Sequence, residues 1–474
     1  MQKYEHAFGK NDIRGIYKED ITEELFYNIA TGYVDWIIAK TNKDPADIKI
    51  SVCMDARLHS PSLKDALING LMDNKVGHIE DLGLKPTPIG YYSEVAHNLD
   101  GAMIITASHN PKEYNGLKMT FNRQTLNEKQ IKEVKDLTFA NWKNLPETLK
   151  TYDYSTEILK EYIDEMKKNF GKIGQGIKVV VDSANATGGI VGPILYKELG
   201  CDVIELFSEP DGTFPNHHPN PSVLSTLKTL SKTVVENNAD FGIAYDGDSD
   251  RIGIVDSKGN PLTGDKLLLI YAMDIIDKHP TVVSEVKCSQ VLFDTINEAG
   301  GNAVMCKTGH GYIKDKMKET NALLGGEMSG HTFFKDRYYG FDDAIYAGCR
   351  MIEIVAKHKK ANHNFKLENL LEPFTKVFTS DEVRFPCPNE LKKEVLETMK
   401  NEVQKNPQMF GSEIKDIITL DGMRIVFKGG FALIRQSNTE PVFTLRFEAN
   451  NEAECNRFKE VMTSQLDKII NSKK

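Results

Sequence analysis

Four short polar segments, each following an apolar run, hold the side chains of this sequence best suited to chemistry. In Asp246-Gly247-Asp248-Ser249-Asp250-Arg251 three carboxylates stand at alternate positions. Alternate residues of an extended chain point to one side, and three carboxylates so placed repel unless a cation sits among them. Oxygen-only ligands favour Mg²⁺, and Arg251 adds a charge suited to a phosphate oxygen. Apolar runs at 240–245 and 252–255 flank the cluster; a solvated acidic turn is the competing reading. An EF-hand loop starting at Asp246 would need Gly at its sixth position and Glu or Asp at its twelfth, where Arg251 and Ser257 stand. An aspartyl-nucleophile phosphatase would want Thr or Val in place of Asp250.

In Thr106-Ala107-Ser108-His109-Asn110-Pro111 the Asn-Pro pair enforces a turn. Ser108 is expected on an exposed loop with His109 beside it. It reads as a nucleophilic or phospho-accepting serine or, taken alone, as a polar strand-end turn. It is not the GxSxG elbow of α/β-hydrolases. Lys118, ten residues on, can reach a phosphate. In Gly325-Gly326-Glu327-Met328-Ser329-Gly330-His331 a carboxylate, a hydroxyl and an imidazole alternate among glycines, a set suited to a polyhydroxylated ligand or to a flexible turn. In Arg435-Gln436-Ser437-Asn438-Thr439-Glu440-Pro441 the arginine can grip a phosphate, with the following residues forming an anion nest or a capped turn. No GxxxxGK[ST] phosphate loop occurs. Arg14 in 11–15, His310 in 307–311 and Lys287 near a strand end are weaker signals. His217-His218 reads as a surface loop before a metal site.

These loops need a frame. The 474 residues, 40% hydrophobic and 27% charged, have a globular composition. Their length suits about three domains, with two or four allowed. The net charge of 59 − 68 = −9 argues against a dedicated nucleic-acid binder. Seven cysteines without a CxxC pair read as reduced, buried thiols of a cytoplasmic protein. The first residues carry no apolar signal region, and the longest apolar stretch, 267–276, is too short to span a bilayer and is broken by Asp274. Spacing predicts helices over 21–40, 128–137, 156–170 and 188–199, and strands over 49–54, 102–106, 178–182, 202–206 and 240–245. This βαβ grammar implies mostly parallel sheets with helices on both faces. Boundaries are expected near 144–153, 256–264 and 358–365. Beyond the last, strands at 417–420, 423–427, 431–434 and 442–447, with turns at Asp421-Gly422 and Gly429-Gly430, precede a charged helix over 452–470. That is a separate small α+β domain. Loops on different domains point to one cleft built by several of them.

Taken in order, TASHNP at 106–111, DGDSDR at 246–251, GEMSGH at 326–331 and RQSNTEP at 435–441 resemble the α-D-phosphohexomutase superfamily, most closely its bacterial phosphomannomutase/phosphoglucomutase group. DIRG at 12–15, TGHG at 308–311, GTFPNHHPNP at 212–221 and YGFDDAIYAG at 339–348 agree, so the resemblance spans essentially the whole chain. It implies an α/β fold of four domains around a central cleft, three mixed α/β domains and a smaller α+β C-terminal one. They are expected at 1–150 (phosphoserine loop), 151–256 (metal loop), 257–364 (sugar loop) and 365–474 (phosphate loop). The implied activity is a reversible interconversion of hexose 6-phosphate and hexose 1-phosphate through a phosphoserine and a hexose 1,6-bisphosphate.

By the same resemblance Ser108 is the phosphoserine, and Asp246, Asp248 and Asp250 bind Mg²⁺ with the serine phosphate. Glu327 and Ser329 read sugar hydroxyls, with His331 close by, and Arg435, Ser437, Asn438 and Thr439 hold the non-reacting phosphate. Arg14, His109, Lys118, Arg251, Lys287 and His310 are further active-site groups, with Lys118 and His331 candidates for general acid/base work. The implied partner is a phosphosugar, with no nucleic acid or membrane, and the chain is expected to be a monomer or weak dimer whose C-terminal domain moves to admit substrate. A phosphoglucosamine mutase would usually carry Gln in place of Met328 and Ser in place of Thr106. A non-catalytic relative would lack the serine or a metal ligand. Glucose and mannose differ at C2, while Glu327 and Ser329 are implied to contact O3 and O4, so dual specificity is the expectation.

Overall fold

A computed structural model describes residues 2–150, 157–437 and 440–473. The helix Glu23–Thr41 shows how local chemistry builds its frame. Thr22 caps it by accepting from the Leu25 amide, Glu23 and Glu24 meet its positive end, and Asn42 closes it in a left-handed turn at φ 56°. Leu25, Phe26, Ile29, Tyr33 and Trp36 are buried. A cap contributes about 1 kcal/mol and each such buried side chain about 2 kcal/mol, so burial decides where this helix sits.

The chain divides into two compact units. The first comprises Met1–Leu262, Gly330–Thr332 and Phe341–Leu367. The second comprises Thr263–Ser329, Phe333–Gly340 and Glu368–Lys474. The first unit holds two sheets. One runs Ile13–Ile16, Tyr114–Phe121, Gly101–Ile105, Lys49–Met54, His78–Leu84, the last three parallel. Tyr114–Phe121 returns antiparallel on Gly101–Ile105, with Lys118 opposite Ile104. The other runs Pro261–Leu262, Ile252–Val255, Phe241–Tyr245, Lys178–Asp182, Asp202–Leu206. Its first two pairings are antiparallel, so it is mixed rather than mostly parallel.

In the second unit, Asn302–Cys306, Thr281–Glu285 and Leu324–Gly326 run parallel and end side by side. The C-terminal sheet is antiparallel, in the order Phe378–Thr379, Val442–Ala449, Gly430–Gln436, Met423–Phe427, Ile414–Ile418. The helices Lys392–Lys405 and Glu452–Asn471 bury Val395, Met399, Phe458 and Met462 in its core.

Three expectations shift. The helix over 188–199 splits into a 3-10 turn, Thr187–Ile190, and a helix, Gly192–Glu198, because Val191 leaves helical geometry ahead of Pro193, a residue suited to a helix start. The strand expected at 417–420 is Ile414–Ile418. The boundary expected at 358–365 begins inside the helix Ala344–Ala361, where His358, Lys359 and Lys360 favour the negative helix end. Residues 151–156 of the expected linker and helix lie outside the described residues. All seven cysteines are buried free thiols. Among the described residues no helix is long and apolar enough to cross a membrane.

Glu94 in the helix Thr87–Ala96 is 1% exposed. It accepts from the Thr120 hydroxyl and the Arg123 amide. Burial outweighs those bonds and pushes its pKa up to about 7. A raised folded-state pKa gives stability that is present below the unfolded value, near 4.5, and lost as pH rises through about 7. Glu94→Gln keeps the shape and removes the charge. The variant is expected to exceed wild type in stability by about 1–3 kcal/mol at pH 8, with the gap closing below pH 4.5. Unfolding curves at several pH values check this; a gap that does not change with pH contradicts it.

Candidate active site

Ser108 follows the strand Gly101–Ile105, at the carboxyl end of parallel strands where open α/β sheets bind ligands. Contrary to the exposed loop expected, it is 2% exposed. The reason is Arg57, itself buried. Its Nη groups donate to the carbonyls of Ser108, Asn110, Pro111 and Tyr114 at 2.6–3.0 Å, and its Nε to Asp55 at 3.0 Å. All five N–H donors are used, so the loop folds around the guanidinium instead of around water. Ser108 adopts φ 49°, a conformation uncommon outside glycine, and its amide donates to Thr106 Oγ1 at 2.8 Å. Its hydroxyl donates to Asp246 Oδ2 at 2.6 Å and lies 3.1 Å from His109 Nδ1.

The acidic segment is a tight hairpin loop rather than an extended strand, since Tyr245 pairs with Ile252. Ser249 turns the chain at φ 61°. A Cβ on Gly247 would fall 2.3 Å from the Ser108 carbonyl, so this close approach needs glycine. Asp246 Oδ1 accepts from the Asp250 and Arg251 amides, both at 3.1 Å. Asp248 Oδ2 accepts from Thr87 Oγ1 and from Lys118 Nζ, each at 2.6 Å. Lys118 also pairs with Asp250. Ligand atoms of the three aspartates lie within 4.8 Å of one another, and all three are buried. Among the described residues, Asp248 Oδ1 and Asp250 Oδ1 have no hydrogen-bond partner. Orphaned buried oxygens in an all-oxygen set fit a hard divalent cation.

Electrostatics follow from this crowding. Burial and the two neighbouring carboxylates push Asp246 well above the usual carboxylate range. Burial opposes charge on Asp250 too, but the Lys118 ammonium outweighs it and holds Asp250 low. Burial works against the Lys118 ammonium, yet Asp248 and Asp250 prevail and keep it protonated. Burial, then Arg251 and Arg14, lower His109 well below its ordinary value, so its imidazole is neutral. Arg14 donates to Asn110 Oδ1 at 2.7 Å. Arg251 Nε donates to His331 Nε2 at 3.0 Å, and His331 Nδ1 lies 3.1 Å from the buried Asp342. That arrangement places the ring proton on Nδ1.

The first unit therefore gathers Arg14, Ser108, His109, Lys118, Asp246, Asp248, Asp250, Arg251 and His331. The second gathers the others. Ser329 Oγ donates to Glu327 Oε2 at 2.9 Å. Lys287 lies 3.6 Å from Glu285, and His310 opens the helix His310–Thr320. Arg435 Nε donates to Asp421 at 3.1 Å. The buried Lys392 donates to the carbonyls of Ser437 and Glu440. Asn438 and Thr439 lie outside the described residues.

The loop of His217 and His218 is mostly exposed, as expected, and His217 also bonds the buried Asp182 carboxylate. Arg57, Thr87, Glu285, Asp342, Lys392 and Asp421 escaped the sequence reading. Asp342 and Asp421 lay in segments already singled out; the other four carry no local signal.

The sequence matches the descriptions "Phosphoglucomutase/phosphomannomutase, alpha/beta/alpha domain I" over residues 5–144, domain II over 160–259 and domain III over 263–374. It matches the corresponding C-terminal domain over 382–465. A phosphomannomutase/phosphoglucomutase of Pseudomonas syringae is 38% identical, over 98% of this chain and 95% of its own. A phosphoglucomutase of Neisseria gonorrhoeae is 36% identical, over 96% of both chains. The crystal structure of a phosphoglucomutase/phosphomannomutase family protein from Burkholderia thailandensis superposes with a TM-score of 0.85 at 31% identity, covering 98% of this chain and 97% of that one.

Proposed function

The chain belongs to the phosphoglucomutase/phosphomannomutase family, and on that premise we propose that it interconverts hexose 6-phosphates and hexose 1-phosphates, of glucose and mannose, through phospho-Ser108. The observation that carries this reading is the Ser108 hydroxyl donating to Asp246 within a buried cluster of three carboxylates and one ammonium. We assign the four domains to 1–150, 151–256, 257–364 and 365–474.

In the forward half-reaction the bond from phosphorus to Ser108 Oγ breaks and a bond to the sugar's free O1 or O6 forms. The hydroxyl proton leaves to a base, and hexose 1,6-bisphosphate results. In the second half the other phosphoryl group returns to Oγ, and the released sugar oxygen takes a proton. His331 is the candidate base once its Nε2 exchanges the Arg251 Nε donor for the sugar hydroxyl. Lys118 is held protonated and serves to balance the carboxylates. Asp246, Asp248 and Asp250 would hold Mg²⁺, which would supply charge neutralisation to the transferring group. Asp246 and neutral His109 orient the serine oxygen. Glu327 and Ser329 bind sugar hydroxyls. Arg435, Ser437, Asn438 and Thr439 take the phosphate that stays behind, aided by Lys287 and His310, and Arg14 and Arg251 face the transferring one.

The test is turnover of mannose 1-phosphate, glucose 1-phosphate and glucosamine 1-phosphate with Mg²⁺ and a trace of glucose 1,6-bisphosphate. Comparable rates for the first two support the reading. Preference for the third moves the chain to phosphoglucosamine mutase, and no turnover leaves a sugar-phosphate-binding protein.

A further inference from the structure

Three residues of the second unit, Glu285, Thr308 and Asp421, have no part in the chemistry above. Glu285 ends its strand beside Cys306 and is fully buried. Its Oε2 accepts from the Thr308 hydroxyl. Its Oε1 accepts from the Met328 amide at 3.2 Å, in the loop that carries Glu327 and Ser329. Thr308 also gives its backbone amide to Asp421 Oδ2 at 3.1 Å. That same oxygen accepts from Arg435 Nε at 3.1 Å. Thr308 thus has one donor on each carboxylate. The Asp421-Gly422 turn rests against Arg435, because a Cβ on Gly422 would fall 2.7 Å from the Arg435 Cα.

We propose that Asp421 and Glu285, joined by Thr308, are positioning residues that couple phosphate capture at Arg435 to the setting of the Met328–Ser329 loop. The proposal rests on the function argued above. Asp421 engages Nε alone, which leaves the two Nη groups as a fork for a phosphate in bidentate geometry. An exact orientation of that fork matters because a guanidinium binds phosphate well only in plane. The far end of the network holds the backbone of the sugar loop. A shift of Arg435 on binding a phosphate is therefore transmitted through one threonine to the sugar-reading side chains. The Arg435–Asp421 pair is mostly buried, with side chains 11% and 21% accessible. Its loss should lower ligand affinity by more than any accompanying loss of thermal stability.

The probe is glucose 6-phosphate, bound to the intact protein without the bisphosphate activator and followed by calorimetry; KM and kcat are measured alongside. Asp421→Ala is expected to weaken binding and raise KM about 10-fold, with kcat changed by less than about threefold. Asp421→Asn keeps an acceptor for Nε and should restore most of the affinity. In a double-mutant cycle, Asp421→Ala and Glu285→Gln should deviate from multiplicativity by about fivefold, and Thr308→Val should abolish that deviation.

Asp421→Ala binding within about twofold of wild type overturns the proposal. So does a loss of affinity accompanied by an equal loss of thermal stability that Asn does not restore, and so does a multiplicative cycle. If wild type binds glucose 6-phosphate without turning it over, the mutase reading falls and the binding ratios alone decide the positioning claim. If wild type does not bind it, both fall.

Discussion

Ser108→Ala is expected to lower kcat by about 10⁴-fold or more, because the serine oxygen is the proposed covalent carrier. Thr106 Oγ1 is already committed to the Ser108 amide, and the His109 imidazole beside it would form a different, labile phosphoryl bond. The fold should survive. Asp246 loses one donor but keeps the amides of Asp250 and Arg251, and the carbonyls around Arg57 are untouched. Binding of glucose 6-phosphate should also survive, since the side chains assigned to the sugar and the distal phosphate lie in the second unit. Steady-state kinetics and calorimetry on one preparation separate these effects. Retention of more than about 1% of wild-type kcat would contradict the assignment of Ser108.

Lys118→Met is expected to give a large stability loss. The ammonium is 3% exposed and is the one cation paired with both Asp248 and Asp250 among the described residues. Removing it leaves buried carboxylates without compensation, which costs about 3–5 kcal/mol. The loss should be greatest in EDTA. Mg²⁺ should recover part of it, because the cation then answers the same carboxylates by mass action. Activity should fall about 10²–10³-fold even with Mg²⁺ present, since a fixed charge beside the transferring group is gone. Lys118→Arg, which keeps the charge, should lie between the two in stability. Thermal unfolding with and without EDTA reads all of this. A melting temperature equal to wild type in EDTA would remove Lys118 from its role as counter-ion.

Much of this site was legible in the chain because its loops are contiguous and each follows a strand. TASHNP, DGDSDR, GEMSGH and RQSNTEP each carry their candidate side chains within a few residues, and the resemblance of the four in order singles them out. The strands that deliver them were also readable, since Gly101–Ile105, Phe241–Tyr245 and Gly430–Gln436 are mostly apolar runs leading into polar turns. What stayed hidden is tertiary. Arg57 meets Ser108 across 51 positions, Thr87 meets Asp248 across 161, and Thr308 meets Asp421 across 113. No spacing rule connects such pairs.

The burial of Ser108 was misread for a related reason: Asn-Pro signals a turn, but only Arg57 decides that the turn folds inward. The acidic segment was misread as extended because alternation of Asp248 and Asp250 mimics a strand. The antiparallel return of Ile252–Val255 instead forces a hairpin with Ser249 in a left-handed conformation.

The central claim is that Ser108 carries the phosphoryl group that moves to the sugar. The most direct test incubates the protein with glucose 1,6-bisphosphate and Mg²⁺, digests it and locates added phosphate by peptide mass spectrometry. A single phosphoryl group on Ser108 is predicted, and it should pass to glucose 1-phosphate or mannose 1-phosphate as bisphosphate when either is added. Phosphate on another residue, or a phospho-Ser108 that does not discharge to either sugar phosphate, would contradict the account.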